Sequence, residues 1–138
     1  YYRVLPQKEL NNEVNIISEQ LKLPIFVVDG NDVFCNQILR TDFISPEKWV
    51  YALSHATYVI TNSFHGAAFS VNFGKNATIL VPPKGGERIV GLMKKCNISE
   101  EKKGVYCIDQ DNIKVSNQAS AYIVSERKRS FDFLKKIR

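Results

Sequence analysis

With 138 residues, 44% hydrophobic and 24% charged, the chain has the make-up of one globular domain able to bury a core. The net charge of +5 is not that of a nucleic-acid binder: residues 126–138 (ERKRSFDFLKKIR) hold six basic and two acidic residues, and the other 13 basic and 12 acidic residues nearly cancel. No aromatic and basic stripe suited to stacking bases is visible, and no apolar run approaches the ~20 residues that span a bilayer.

The chain opens on an apolar, strand-like stretch, Tyr1–Leu5, ended by Pro6. It has no initiator methionine and no signal-peptide pattern, so a fragment cut from a longer protein at a domain boundary is expected. From Lys8 to Lys22, the residues Leu10, Val14, Ile17 and Leu21 recur as the stripe of an amphipathic helix, closed by Pro24. A continuously apolar strand, Ile25–Val28, turns at Asp29-Gly30, as in a parallel sheet covered on both faces. Residues 31–44 read equally as helix or strand. Ser45-Pro46 then starts a helix to about His55, with Trp49, Ala52, Leu53 and Ala56 facing inward.

Tyr58–Thr61 is the next strand, His65–Phe73 a helix stopped by Gly74, and Ala77–Val81 another strand. A PPKGG loop leads to a helix over Glu87–Cys96, with Ile89, Leu92 and Met93 on its apolar face. Tyr106–Ile108 reads as a last strand. A closing helix covers roughly Ser120–Ile137, with Val124, Phe131 and Leu134 inward. Strands alternating with helices in this way predict an α/β, Rossmann-like domain over residues 1–138, its sheet mostly parallel and flanked by helices. The three cysteines (Cys35, Cys96, Cys107) form no CxxC pair and fit reduced thiols in a cytoplasmic protein.

Ligands of an open parallel sheet collect where strands lead into helix N-termini. Two such loops stand out. In TNSFHG, Thr61, Asn62 and Ser63 are able to accept from orphan backbone N–H groups, and Gly66 allows close backbone approach. The helix N-terminus favours phosphate or carboxylate, and His65 adds a side chain able to donate to a phosphate oxygen or to pass a proton. On position alone, His65 reads equally well as a packed or locally bonded ring. In VPPKGGERI, Gly85 and Gly86 expose backbone donors, and Lys84 and Arg88 add two cations. Taken alone, this loop reads better as a solvated turn with Arg88 paired to Glu87 or a nearby Asp. Side by side on one rim, the two loops suit a small ligand with a phosphate and a carboxylate. His55, at a helix end, reads as a C-terminal cap, and Asp29 ends its strand on the same rim with nothing else to support it. Dinucleotide and P-loop glycine patterns are absent, and nothing lies at metal-ligand spacing from His65, so neither a metal nor a cofactor is expected.

The run WVYALSHATYVITNSFHGAAFSVNFGKNATIL, followed by ERIVGLMKKCNI and a closing ERKRSFDFLKK, resembles the polysaccharide pyruvyl transferase family. In that family a helix, a strand, an S/R-F/L-H-G turn, a helix ending in FGK and a later RI element recur in this order. The resemblance covers about residues 45–138 and implies transfer of a pyruvyl group from phosphoenolpyruvate to a sugar of a cell-surface polysaccharide, giving a pyruvate ketal and inorganic phosphate. It further implies one half of a GT-B-type enzyme, the C-terminal, donor-side domain of a two-domain protein. Its partners would be an anionic donor, a saccharide acceptor and an N-terminal domain that this fragment lacks, so the fragment alone would not turn over. The cytoplasm, with a peripheral place at the inner membrane face, is the expected location.

His65 falls on the family's functional histidine and Arg88 on its later arginine. These two are the expected catalytic residues, with Asn62, Ser63, Gly66, Lys84, Gly85 and Gly86 binding substrate. Asn76 departs from the family, standing where proline is common after FGK, and Asn72 interrupts an apolar helix face. Two other readings compete: the donor half of a GT-B glycosyltransferase using a sugar nucleotide, and a non-catalytic glycan-binding relative. A sugar-nucleotide site would also need a carboxylate for the ribose, and none is well placed.

Overall fold

A computed structural model describes residues 8–28, 38–41, 45–109 and 115–136. The expected strand at Tyr1–Leu5, the turn at Asp29 and Cys35 lie outside these. The first helix, α1 (Lys8–Leu21), buries Val14 completely and Ile17 in part, while Leu21 at the end of the stripe stays exposed. Lys22 takes a left-handed φ of 53°, and the Ser18 hydroxyl donates to the Leu23 carbonyl at 2.8 Å, which turns the chain before Pro24. The strand β1 (Ile25–Val28) pairs in parallel with β2 (Ile38–Thr41), so the ambiguous segment contains a strand.

The helix α2 (Pro46–His55) starts where Ser-Pro predicts, and the Ser45 hydroxyl accepts from the Lys48 N–H at 3.4 Å. The strand β3 (Tyr58–Thr61), helix α3 (Phe64–Asn72), strand β4 (Asn76–Leu80) and helix α4 (Glu87–Lys95) follow within one residue of their expected bounds. Gly74 takes the left-handed φ of 57° that ends α3, its N–H donating to the Val71 carbonyl. Alternation along the strands separates two cores. Val59, Ala77, Ile79, Tyr106 and Ile108 pack with Leu53, Ala67, Ile89 and Met93 from the helices. On the opposite face, Ile60 packs with Val14, Ile25 and Val27. The Trp49 ring meets Phe69 edge-on at 5.1 Å and ties α2 to α3.

The sheet is mixed, where the alternation predicts a mostly parallel one. β3 and β4 are parallel, but β6 (Val105–Ile108) runs antiparallel to β4 and lies between it and β5 (Glu100–Lys102), in the order β3-β4-β6-β5. The cause is a hairpin that the sequence reading lacks. The crossover through α4 delivers β5 in the same sense as β4, and the Lys103-Gly104 turn folds β6 back between them. Gly104 makes this turn at a φ of +76°.

The last helix, α5 (Val115–Lys136), corrects a second expectation. Val124 and Phe131, expected inward, are each 63% exposed, and the side chain of Leu134 is outside the described set. Tyr122 packs on the core instead, and Arg127 donates to the Asn72 side-chain oxygen at 2.6 Å. The polar break in the α3 face is therefore an anchor for α5.

Candidate functional site

Because β3 and β4 are adjacent and parallel, both lead into their helices on the same rim of the sheet. The first connection is short. Thr61 is fully buried, and its hydroxyl accepts from the Ser63 N–H at 3.0 Å, which turns the chain out of the strand. Ser63 occupies the N-cap with an extended backbone, yet its hydroxyl makes no cap hydrogen bond. The first helical bond runs from the Ala67 N–H to the Ser63 carbonyl at 2.9 Å. The N–H groups of Phe64, His65 and Gly66 therefore lack a partner within α3.

Gly66 is explained by packing. A Cβ there would lie 2.4 Å from the Thr61 hydroxyl oxygen, so the first turn of α3 closes directly onto the strand end. Asn62, Ser63 and Gly66 are all buried, and His65 is the exposed residue of the loop. Its ring meets Phe64 edge-on, with centroids 5.8 Å apart.

The second connection, residues 81–86, is longer and more open. Gly85 takes a left-handed φ of +76° and has open space around it. Gly86, the N-cap of α4, is buried, and a Cβ there would lie 2.3 Å from a Val81 methyl carbon. Lys84 is exposed and makes no hydrogen bond or ion pair among the described residues. Arg88 is exposed as well, and among the described residues it pairs with neither Glu87 nor an Asp, the pairing that an isolated loop would favour. Its guanidinium carbon sits 5.0 Å from the centre of the Phe64 ring. The two loops thus meet at Phe64, against which both His65 and Arg88 are packed.

Two contributors escaped the sequence reading. Phe64 has no role of its own in the sequence reading, although an aromatic ring beside a histidine at a helix start is a signal. The β5–β6 turn also reaches this rim, because the Gly104 carbonyl accepts from the Val81 N–H at 2.7 Å. A Lys-Gly pair before an apolar run marked that turn.

The model matching the chain is that of the family described as polysaccharide pyruvyl transferase, over residues 6–82, more than half of the sequence. The chain belongs to this family. No curated protein and no solved structure matches it. The family match includes the whole SFHG connection and ends at Pro82, so Lys84, Gly85, Gly86 and Arg88 lie beyond it.

Other groups stand apart from the rim. His55 behaves as a cap: its Nδ1 lies 2.9 Å from the Tyr51 carbonyl, and its ring stacks on Tyr51 at 3.9 Å. Cys96 is buried and free, and burial raises its thiol pKa. Desolvation likewise pushes the half-buried Cys107 thiol up to about 11, which leaves it protonated at neutral pH. A cavity of about 610 Å³ opens between α1, β1 and α2, lined by apolar residues including Leu21, Phe26, Trp49 and Ala56. None of His65, Lys84 or Arg88 lines it. Among the described residues no three His, Cys, Asp or Glu side chains come together, and no helix is long and apolar enough to cross a membrane.

Proposed function

We propose that residues 1–138 form the donor-side, C-terminal domain of a two-domain, GT-B-like pyruvyl transferase that takes phosphoenolpyruvate as donor. A sugar with two hydroxyl groups is the acceptor, and a pyruvate ketal and inorganic phosphate are the products. One hydroxyl adds across the C2=C3 double bond of the enol phosphate: its oxygen bonds to C2, it gives up its proton, and C3 gains one and becomes a methyl group. The second hydroxyl then replaces phosphate at C2, and its proton leaves with the phosphate.

In this reading His65 serves the phosphate side, as donor to an oxygen or as source of the C3 proton. Arg88, helped by Lys84, holds the other anionic group and offsets charge that develops as phosphate departs. The N–H groups at the α3 and α4 N-termini complete the cradle, with Asn62, Ser63, Gly66, Gly85 and Gly86 shaping it. The acceptor surface belongs to an N-terminal domain, so the 138 residues bind donor without turning it over. No cofactor is required beyond the donor, and the reaction takes place on the cytoplasmic side of the membrane.

The observation that carries this reading is the meeting of two anion-friendly loops at one ring. The exposed His65 lies 5.8 Å from Phe64 by ring centroids, and the Arg88 guanidinium lies 5.0 Å from the same ring. Phosphoenolpyruvate has one phosphate and one carboxylate to match. Titrating the chain separately with phosphoenolpyruvate and with a UDP-sugar, while following the His65 ring signals, tests it. Saturable shifts with phosphoenolpyruvate alone are expected. A response only to the UDP-sugar, or to neither, would overturn the assignment.

A further inference from the structure

We infer that Phe64 is a positioning residue that holds the Arg88 guanidinium at the rim beside His65, ready for an incoming anion. The inference rests on the donor-site reading above and assigns a task to a side chain that the reading leaves out.

Phe64 is half-buried and packs against the main core, so its ring is fixed from below. Arg88 starts one helix away, on a long exposed side chain with many rotamers. A free arginine in that position would have to be ordered by each ligand that binds. Here the guanidinium carbon lies 5.0 Å from the Phe64 centroid, within the range of cation–π attraction. A guanidinium held by a ring in this way keeps its N–H fork for a carboxylate or phosphate. A partner carboxylate in the protein would occupy that fork instead, and no salt bridge to Arg88 exists among the described residues. The same ring contacts His65, so one rooted side chain sets the spacing between the two groups.

The test is a double-mutant cycle on the 138-residue chain, built from Phe64→Leu and Arg88→Ala and titrated with phosphoenolpyruvate and with inorganic phosphate. Phe64→Leu keeps apolar bulk but removes the ring, and should weaken anion binding about 2- to 10-fold. In the Arg88→Ala background the same change should have no further effect. Phe64→Tyr, which keeps a ring, should bind as the original does and so controls for lost packing. Equal losses from Phe64→Leu in both backgrounds, or equal weakening by Leu and Tyr, would overturn the inference. Binding of phosphate without phosphoenolpyruvate would sink the donor assignment alone, since the cycle is then read on phosphate. Binding of neither overturns both.

Discussion

Gly66 in the first strand-to-helix connection on the rim and Gly85 in the second are held for opposite reasons. In the first, Gly66 is buried and a Cβ would strike Thr61 at 2.4 Å, so the turn is locked to the strand. In the second, Gly85 faces open space and is needed only for its left-handed φ of +76°. The first connection buries its polar side chains and exposes one histidine, while the second carries its charge outside on Lys84 and Arg88. A rigid connection that sets position thus lies beside an open one that supplies cations, and Phe64 joins them. Substitutions of the buried residues in the first should therefore damage folding, and substitutions of the exposed side chains His65, Lys84 and Arg88 should damage ligand handling alone.

The largest effect is expected at the exposed groups. In the two-domain enzyme proposed above, Arg88→Ala or His65→Gln should lower pyruvyl transfer on the order of 10²- to 10³-fold. Unfolding free energies should stay within about 0.5 kcal/mol of the parent, because neither side chain is part of the core. Product formation and denaturant titration on the same samples check both halves of this statement. A large stability loss in either variant would erase the contrast between the loops.

Gly66→Ala comes next. The added methyl must displace Thr61 or the first turn of α3, at a cost of about 1–3 kcal/mol. Gly85→Ala meets no atoms and should cost less, about 1 kcal/mol, from the backbone conformation alone. Thermal unfolding of the two variants side by side would sharpen the comparison, and equal losses would remove it.

The smallest effect lies outside both loops. With its thiol pKa near 11 rather than the usual 9.0, Cys107 should react with an alkylating reagent at pH 8 about 100-fold more slowly than an unperturbed thiol. The raised value also has a sign for stability. Above pH 9 the unfolded chain loses this proton before the folded one does, so the contribution of Cys107 falls as pH rises from about 9 towards about 11. Cys107→Ser should flatten that alkaline limb.

Much of this arrangement was legible in the residues. From Ser45 to Cys96, caps, prolines and apolar runs marked each element within one residue, because each element there has its own start or stop signal. The shared rim also followed, since two strands joined by a helical crossover in one sheet run parallel. The hairpin did not. Its first strand, Glu100–Lys102, is three exposed charged residues on a sheet edge, with no apolar alternation to read.

The inward face of α5 failed for a related reason. Val124 and Phe131 fall on one helical stripe, but periodicity does not say what lies opposite. In the structure Tyr122 and Arg127 make the contacts. Within the site, the tasks of Thr61 and Phe64 depend on contacts across turns, which spacing along the chain does not reveal. Gly66 and Gly86 read as ligand-facing glycines, yet the structure gives each a neighbour inside the protein.

The central claim is that His65 and Arg88 serve one donor molecule. The most direct measurement follows the His65 ring and Arg88 guanidinium NMR signals together during one titration with phosphoenolpyruvate. A single midpoint for both signals and one-to-one stoichiometry are expected, with the His65 midpoint moved to higher phosphoenolpyruvate in Arg88→Ala. Different midpoints, or a shift confined to one of the two residues, would contradict it.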